Sequence, residues 1–202
     1  MDRKEHWENV HTGGEPADAS WHQDDPKLSL ELIGPASPDR GAVIDIGGGA
    51  SLLVDRLLDA GFTAVAVLDI AAAALSRAKD RLGARADRVR WIVADVTAAG
   101  DLGRFDIWHD RAVFHFLTDP PDRRKYVELA TRTVPHGGHL ILGAFALEGP
   151  PKCSGLEVRR YDAGLLASEL GPAFGLVKAV AQTHTTPRGA TQQFVYGLFE
   201  RI

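Results

Sequence analysis

The chain has 202 residues, enough for one domain with a real core. A net charge of −4 at pH 7 excludes a bulk electrostatic pull toward nucleic acid, and a single cysteine, Cys153, excludes an internal disulfide and suits a reducing compartment. With 45% hydrophobic and 25% charged residues, no apolar run of membrane-spanning length and no signal-peptide core in residues 1–8, a cytoplasmic globular protein with no membrane partner is expected.

Residues 1–27 are polar and irregular but contain Trp7, Trp21 and three of the eight histidines. The run His6-Trp7-Glu8-Asn9-Val10-His11 reads as a short helix. Disordered tails usually lack tryptophan, so this arm is expected to dock. It does so either as plain surface packing or as a lid over a ligand site. Residues 28–34 read as another short helix, ended by Gly34-Pro35; Pro35 and Pro38 mark a linker. The expected division is therefore an arm over 1–40 and a domain over 41–202.

The organising stretch follows. Ala42-Val43-Ile44-Asp45-Ile46 is an apolar strand that runs into Gly47-Gly48-Gly49, and helical spacing begins at Leu52. Glycines permit positive φ and let a ligand approach the main chain. A nucleotide-like ligand at the carboxyl end of a central parallel strand is the first hypothesis, a ligand-free glycine turn the plain one. A dinucleotide fingerprint wants a third glycine where Leu52 stands, and a P-loop wants a lysine that is absent. Asp45 beside the glycines is awkward for a pyrophosphate and acceptable for a ligand with positive charge.

A helix over 51–60 follows, with Leu52, Leu53, Leu57 and Leu58 on one face and Gly61 as its stop. Residues 63–69 form a second strand ending in Asp69, which lies 20 residues beyond Gly49. In a doubly wound fold an acid here reaches a ribose diol; capping the next helix is its plain reading. That helix covers 71–82. A third strand, 88–96, ends at Asp95, a fourth, 104–111, at Asp110, so the pattern of strand then acid recurs. A helix over 121–133, a fifth strand over 139–145, a loop over 147–161 and a helix over 162–170 capped by Asp162 come next. Strands 174–184 and 191–200, joined by Thr186-Pro187-Arg188-Gly189, read as a closing hairpin.

Asp45-Ile46-Gly47-Gly48-Gly49 resembles motif I of the class I S-adenosylmethionine (SAM) methyltransferases. The run from His109 to Leu117 is similar to their motif IV, whose loop lies beside the transferring methyl group. Pro135-His136-Gly137-Gly138 before an apolar strand is typical of the same family. Trp7-Glu8 with His11, then Ser20-Trp21-His22, resemble the amino-terminal arm of small methyltransferases that include protein-lysine enzymes, with His11 where an aromatic usually stands.

The resemblance implies an α/β fold, a doubly wound, seven-stranded, mostly parallel Rossmann-like sheet closed by a C-terminal antiparallel hairpin. It implies SAM as cofactor and S-adenosylhomocysteine (SAH) as product. The cofactor residues carried over are Asp45, Gly47, Gly49 and Ser51 at the turn, Asp69 and Ile70 at the ribose, Asp95 and Val96 at the adenine, with Asp110 and Trp21.

Methyl transfer from a sulfonium is an in-line displacement, and alignment alone supplies roughly 7–11 kcal/mol. What remains is to take a proton from the acceptor. His109, Asp110 and His115 are the candidate catalytic residues, His115 equally reading as a half-buried core histidine. Trp7, His11, Arg111, Cys153 and Arg160 are the candidate substrate contacts. The histidines show no metal-ligand spacing, and no metal is expected.

The acceptor is expected to be a small nucleophile, a thiol or another soft group, with a protein lysine as the alternative. From other classes, a nicotinamide-dependent oxidoreductase and a non-catalytic SAM-binding subunit are kept; Leu52 and the closing hairpin argue against the former. A monomer or a homodimer is expected.

Overall fold

The computed structural model of the protein describes residues 2–202. One seven-stranded sheet forms its centre. The strands are β1 (Val43–Ile46), β2 (Val65–Asp69), β3 (Val89–Val93), β4 (Ile107–Arg111), β5 (His139–Phe145), β8 (Phe174–Thr185) and β9 (Thr191–Arg201). A separate two-stranded ribbon pairs β6 (Lys152–Cys153) with β7 (Leu156–Glu157). Their order in the main sheet is β3-β2-β1-β4-β5-β9-β8. The first five run parallel, and β9 enters antiparallel between β5 and β8.

Parallel strands covered on both faces read as apolar runs, and β1 and β2 are buried throughout. Their alternate residues supply two cores. On one face Val43, Val65, Val67 and Ile107 pack with α2 (Lys27–Ala36), α3 (Leu53–Asp59) and α4 (Ala72–Leu82). On the other, Ile44, Ile46, Leu68 and Trp108 pack with α5 (Pro120–Thr133) and α6 (Ala163–Leu170). The strand order reverses between β1 and β4, and a crevice opens at the carboxyl ends of such a pair.

Cross-strand register places the polar residues. Asp45 pairs with His109, Arg111 with Gly143, and Gly143 with Tyr196. All five lie at one end of the sheet. Gly143 has to be glycine: a Cβ there would stand 2.8 Å from Cε1 of the Tyr196 ring.

Two elements differ from expectation. α2 runs on through Pro35 to Ala36, because the Ser37 amide closes the last turn onto Ile33 and Gly34, and the proline sits where one missing donor is tolerable. Leu32 and Ile33 of α2 are buried in the sheet's core, so only the chain before α2 lies outside the layers. The loop over 147–161 contains the β6–β7 ribbon, turned by Ser154 and Gly155 at φ of 50° and 80°. That tight turn requires two left-handed residues in a row. No helix among the described residues is long and apolar enough to cross a membrane.

Candidate active site

A cavity of about 520 Å³ opens at the carboxyl ends of β1 to β4, roofed by the chain before α2. Gly47 and Gly49, at φ of 65° and 42°, turn the chain at its floor. A Cβ on Gly47 would fall 2.0 Å from Val113, and one on Gly49 would fall 2.9 Å from an Asp69 oxygen. The turn therefore presents bare main chain to the cavity.

Asp45, Asp69 and Asp95 all line this space, with Ser51, Ile70 and Val96. Asp69 is buried and accepts a bond of 2.8 Å from the Ala71 amide. Burial pushes its carboxyl up to about 7, and nearby Asp45 adds to the effect. Asp95 folds its own loop, accepting from the Thr97 amide at 2.8 Å and the Thr97 hydroxyl at 2.7 Å. Its other oxygen receives Arg3 at 3.1 Å.

A buried polar chain crosses the same rim. His109 Nδ1 lies 2.7 Å from Asp45 Oδ1, and Nε2 lies 2.9 Å from Ser29 Oγ. A carboxylate only accepts, so a neutral ring carries its proton on Nδ1 and accepts at Nε2 from the serine. Separately, the Tyr196 hydroxyl accepts from Arg111 Nε at 2.9 Å.

The arm forms the opposite wall. In α1 (Arg3–Thr12), the Glu8 carboxylate takes the Ala72 and Ala73 amides at 2.8 and 3.1 Å, capping α4. Trp7 meets Phe116 edge to face at 4.9 Å and Trp21 at 6.2 Å. The Trp21 carbonyl accepts from Arg111 Nη1 at 2.9 Å, and that of Ser20 faces His184 Nε2 at 2.9 Å. Trp7, His11, Trp21, His109, Arg111 and Cys153 all line the cavity. Burial pushes the Cys153 thiol up, which leaves it a protonated, weak nucleophile at neutral pH.

Three expected residues lie elsewhere. Asp110 is buried on the α5 and α6 side of the sheet, because neighbours in a strand face opposite ways and His109 and Arg111 face the cavity. Its carboxyl accepts from the Val113 and Phe114 amides at 2.9 and 3.1 Å and from the Tyr126 hydroxyl at 2.7 Å. It folds the turn after β4. Burial pushes it up to about 7. His115 is fully buried between Phe116 and Phe145; its Nδ1 accepts weakly from the Phe145 amide at 3.4 Å, and burial pushes it down to about 3. A ring held neutral and walled from the cavity is a core residue. Arg160 ties the loop after β5 by donating to the Leu147 and Gly149 carbonyls.

Ser29, Tyr196 and Arg3 escaped the sequence reading, and so did the reach of Glu8 to the α4 amides. Ser29 had a signal: it shares a helix face with Leu32 and Ile33, and a hydroxyl on an apolar stripe needs a partner. Tyr196 had a fainter one in Gly143, which makes room for its ring.

A doubly wound sheet with acids at successive strand ends and a reversed last strand defines the Rossmann-like methyltransferase fold. Residues 43–138 match the family model described as a methyltransferase domain. No curated protein matches it. Among solved structures, the chain resembles one described by the conversion of a disulfide bond into a thioacetal group during echinomycin biosynthesis. The TM-score is 0.80 at 19% identity, over 99% of this chain and 92% of that one. It also resembles the N-methyltransferase NodS from Bradyrhizobium japonicum WM9 in complex with SAH, at TM-score 0.72 and 17% identity over 99% of both chains. A third likeness is the glycopeptide N-methyltransferase MtfA complexed with SAM, at TM-score 0.68 and 15% identity, covering 91% of this chain and 97% of that one. At such identities these are likenesses of fold.

Proposed function

We propose that the protein is a SAM-dependent methyltransferase acting on a small nucleophile. The observation that carries this reading is the convergence of Asp45, Asp69 and Asp95 with the bare main chain of Gly47 and Gly49 on one roofed cavity. When bound there, SAM supplies a methyl group on a sulfonium, already activated for displacement. Asp69 accepts from the ribose hydroxyls, each charge-assisted bond contributing about 1.5–3 kcal/mol. Asp95 and the Val96 amide hold the adenine edge, Asp95 sharing its carboxylate with Arg3. Gly47, Gly49 and Ser51 hold the amino-acid tail, and Trp21 covers it.

Ser29 and His109 take the proton. The serine hydroxyl lines the cavity and donates to His109 Nε2, so a proton leaving the acceptor passes to Ser29 as that of Ser29 passes to the ring. Asp45 then faces an imidazolium at 2.7 Å and stabilises it. Asp110 and His115 shape the turn beside this group without touching the cavity. A small acceptor suits a site that α1 and Trp21 cover, where a protein chain would have to displace the arm. The fold neighbours named above are described with sulfur or nitrogen chemistry, and both elements suit a base of this kind.

Calorimetry with SAH and with NAD tests the reading. SAH binds and NAD does not; Asp69→Ala weakens SAH on the order of 100-fold, the loss of two hydroxyl bonds. Binding of NAD without SAH would reverse it. For the acceptor, labelled SAM is incubated with cell extract and the products are separated by size; label carried on protein would replace the small nucleophile with a protein side chain.

A further inference from the structure

Arg111 leaves β4 with its guanidinium fixed on three sides. Nε donates to the Tyr196 hydroxyl and Nη1 to the Trp21 carbonyl, both at 2.9 Å, and the group lies 4.7 Å over the Phe194 ring. Every one of these partners is neutral. Nη2 is shielded from solvent and has no partner. A shielded cation without a counter-charge is costly, and its remaining N–H groups need an acceptor. The residue lines the cavity, and so does Arg188 from the hairpin turn.

We propose that the Arg111 end is an anion subsite for the methyl acceptor, and that the acceptor carries a carboxylate on an apolar or aromatic body. This rests on the methyltransferase reading above. One free nitrogen with two N–H groups matches a single carboxylate; a phosphate dianion would call for the donors that Tyr196 and Trp21 already use. Trp7, Trp21 and Phe116 supply the apolar walls. The carboxylate anchors the acceptor and leaves its nucleophile free to face Ser29.

The test uses the SAH-saturated protein with benzoate and the uncharged benzamide as probes, followed by calorimetry and tryptophan fluorescence. Benzoate binds at least tenfold tighter than benzamide. Arg111→Gln, which keeps a donor for the Trp21 carbonyl, abolishes the preference and leaves the SAH dissociation constant within twofold. Arg111→Lys, which keeps the charge, retains part of the preference, and thermal melts confirm that both variants fold. Equal binding of the two probes, or a preference that survives in Arg111→Gln, overturns the subsite. So does a tenfold loss of SAH affinity in Arg111→Gln, which would assign the guanidinium to the cofactor's own carboxylate. Failure of the native protein to bind SAH at all would instead sink the parent reading, and is seen before any probe is added.

Discussion

Burial pushes the Asp69 carboxyl up to about 7, yet the proposed bonds from the ribose hydroxyls need it ionised. Below pH 7 the free site must give up a proton before it can accept them, at about 1.4 kcal/mol per unit. SAH affinity measured by calorimetry therefore rises about tenfold from pH 6 to pH 8 and levels off, and in Asp69→Asn it is low and flat. His115 is displaced the other way, with a pH effect of the same sign. Its folded value of about 3 lies below the ordinary 6.5, so its contribution to stability is whole above 6.5 and is lost as pH falls. His115→Asn keeps an acceptor for the Phe145 amide and does not titrate. Its denaturation midpoint gains on that of the native protein by about 1.4 kcal/mol per unit below pH 6.5. Asp45, Asp69 and Asp95 were legible because three apolar runs each ended in an acid. Asp110 ends a run too, but the period of two sends it to the other face, and the run alone did not show which residue faced the crevice.

At the scale of elements, the strands of the main sheet stood out in the sequence to within a few residues, β1, β2, β4 and β5 because burial on both faces forces continuous apolar runs. The arm was legible only as something that docks, because its grip is polar and long-range. Glu8 reaches the amides of Ala72 and Ala73, 64 and 65 residues away. Glu8→Gln removes the charge and one acceptor at the α4 N-terminus, a loss of about 1 kcal/mol. Amide exchange through α1 then quickens about fivefold while that of β1 and β4 is unchanged; equal rates in α1 would show that the aromatic contacts alone hold the arm. In the sheet, Gly143→Ala forces the Tyr196 ring off its seat, costing about 1–3 kcal/mol in urea unfolding. Gly164→Ala, inside α6, meets only an Asp162 oxygen at 3.4 Å and gains up to about 1 kcal/mol.

For the whole molecule, parallel runs, glycine turn and closing hairpin together foretold the sheet. Which residues share its rim depends on register, and register between strands 64 residues apart is not written in either strand. The Asp45–His109 pair and the Tyr196–Arg111 pair both arise in this way. The roof carries one more implication. Trp21 lies over the cavity, and its carbonyl also fixes Arg111. An arm that lifted to admit the donor would take that bond away, and the Arg111 side of the site would lose its shape until the arm settled again. Loading would then run in sequence, methyl donor ahead of acceptor, and release in reverse, and the expected outcome in steady-state kinetics is that SAH competes with SAM alone; competition with the acceptor as well would show that the arm does not impose an order.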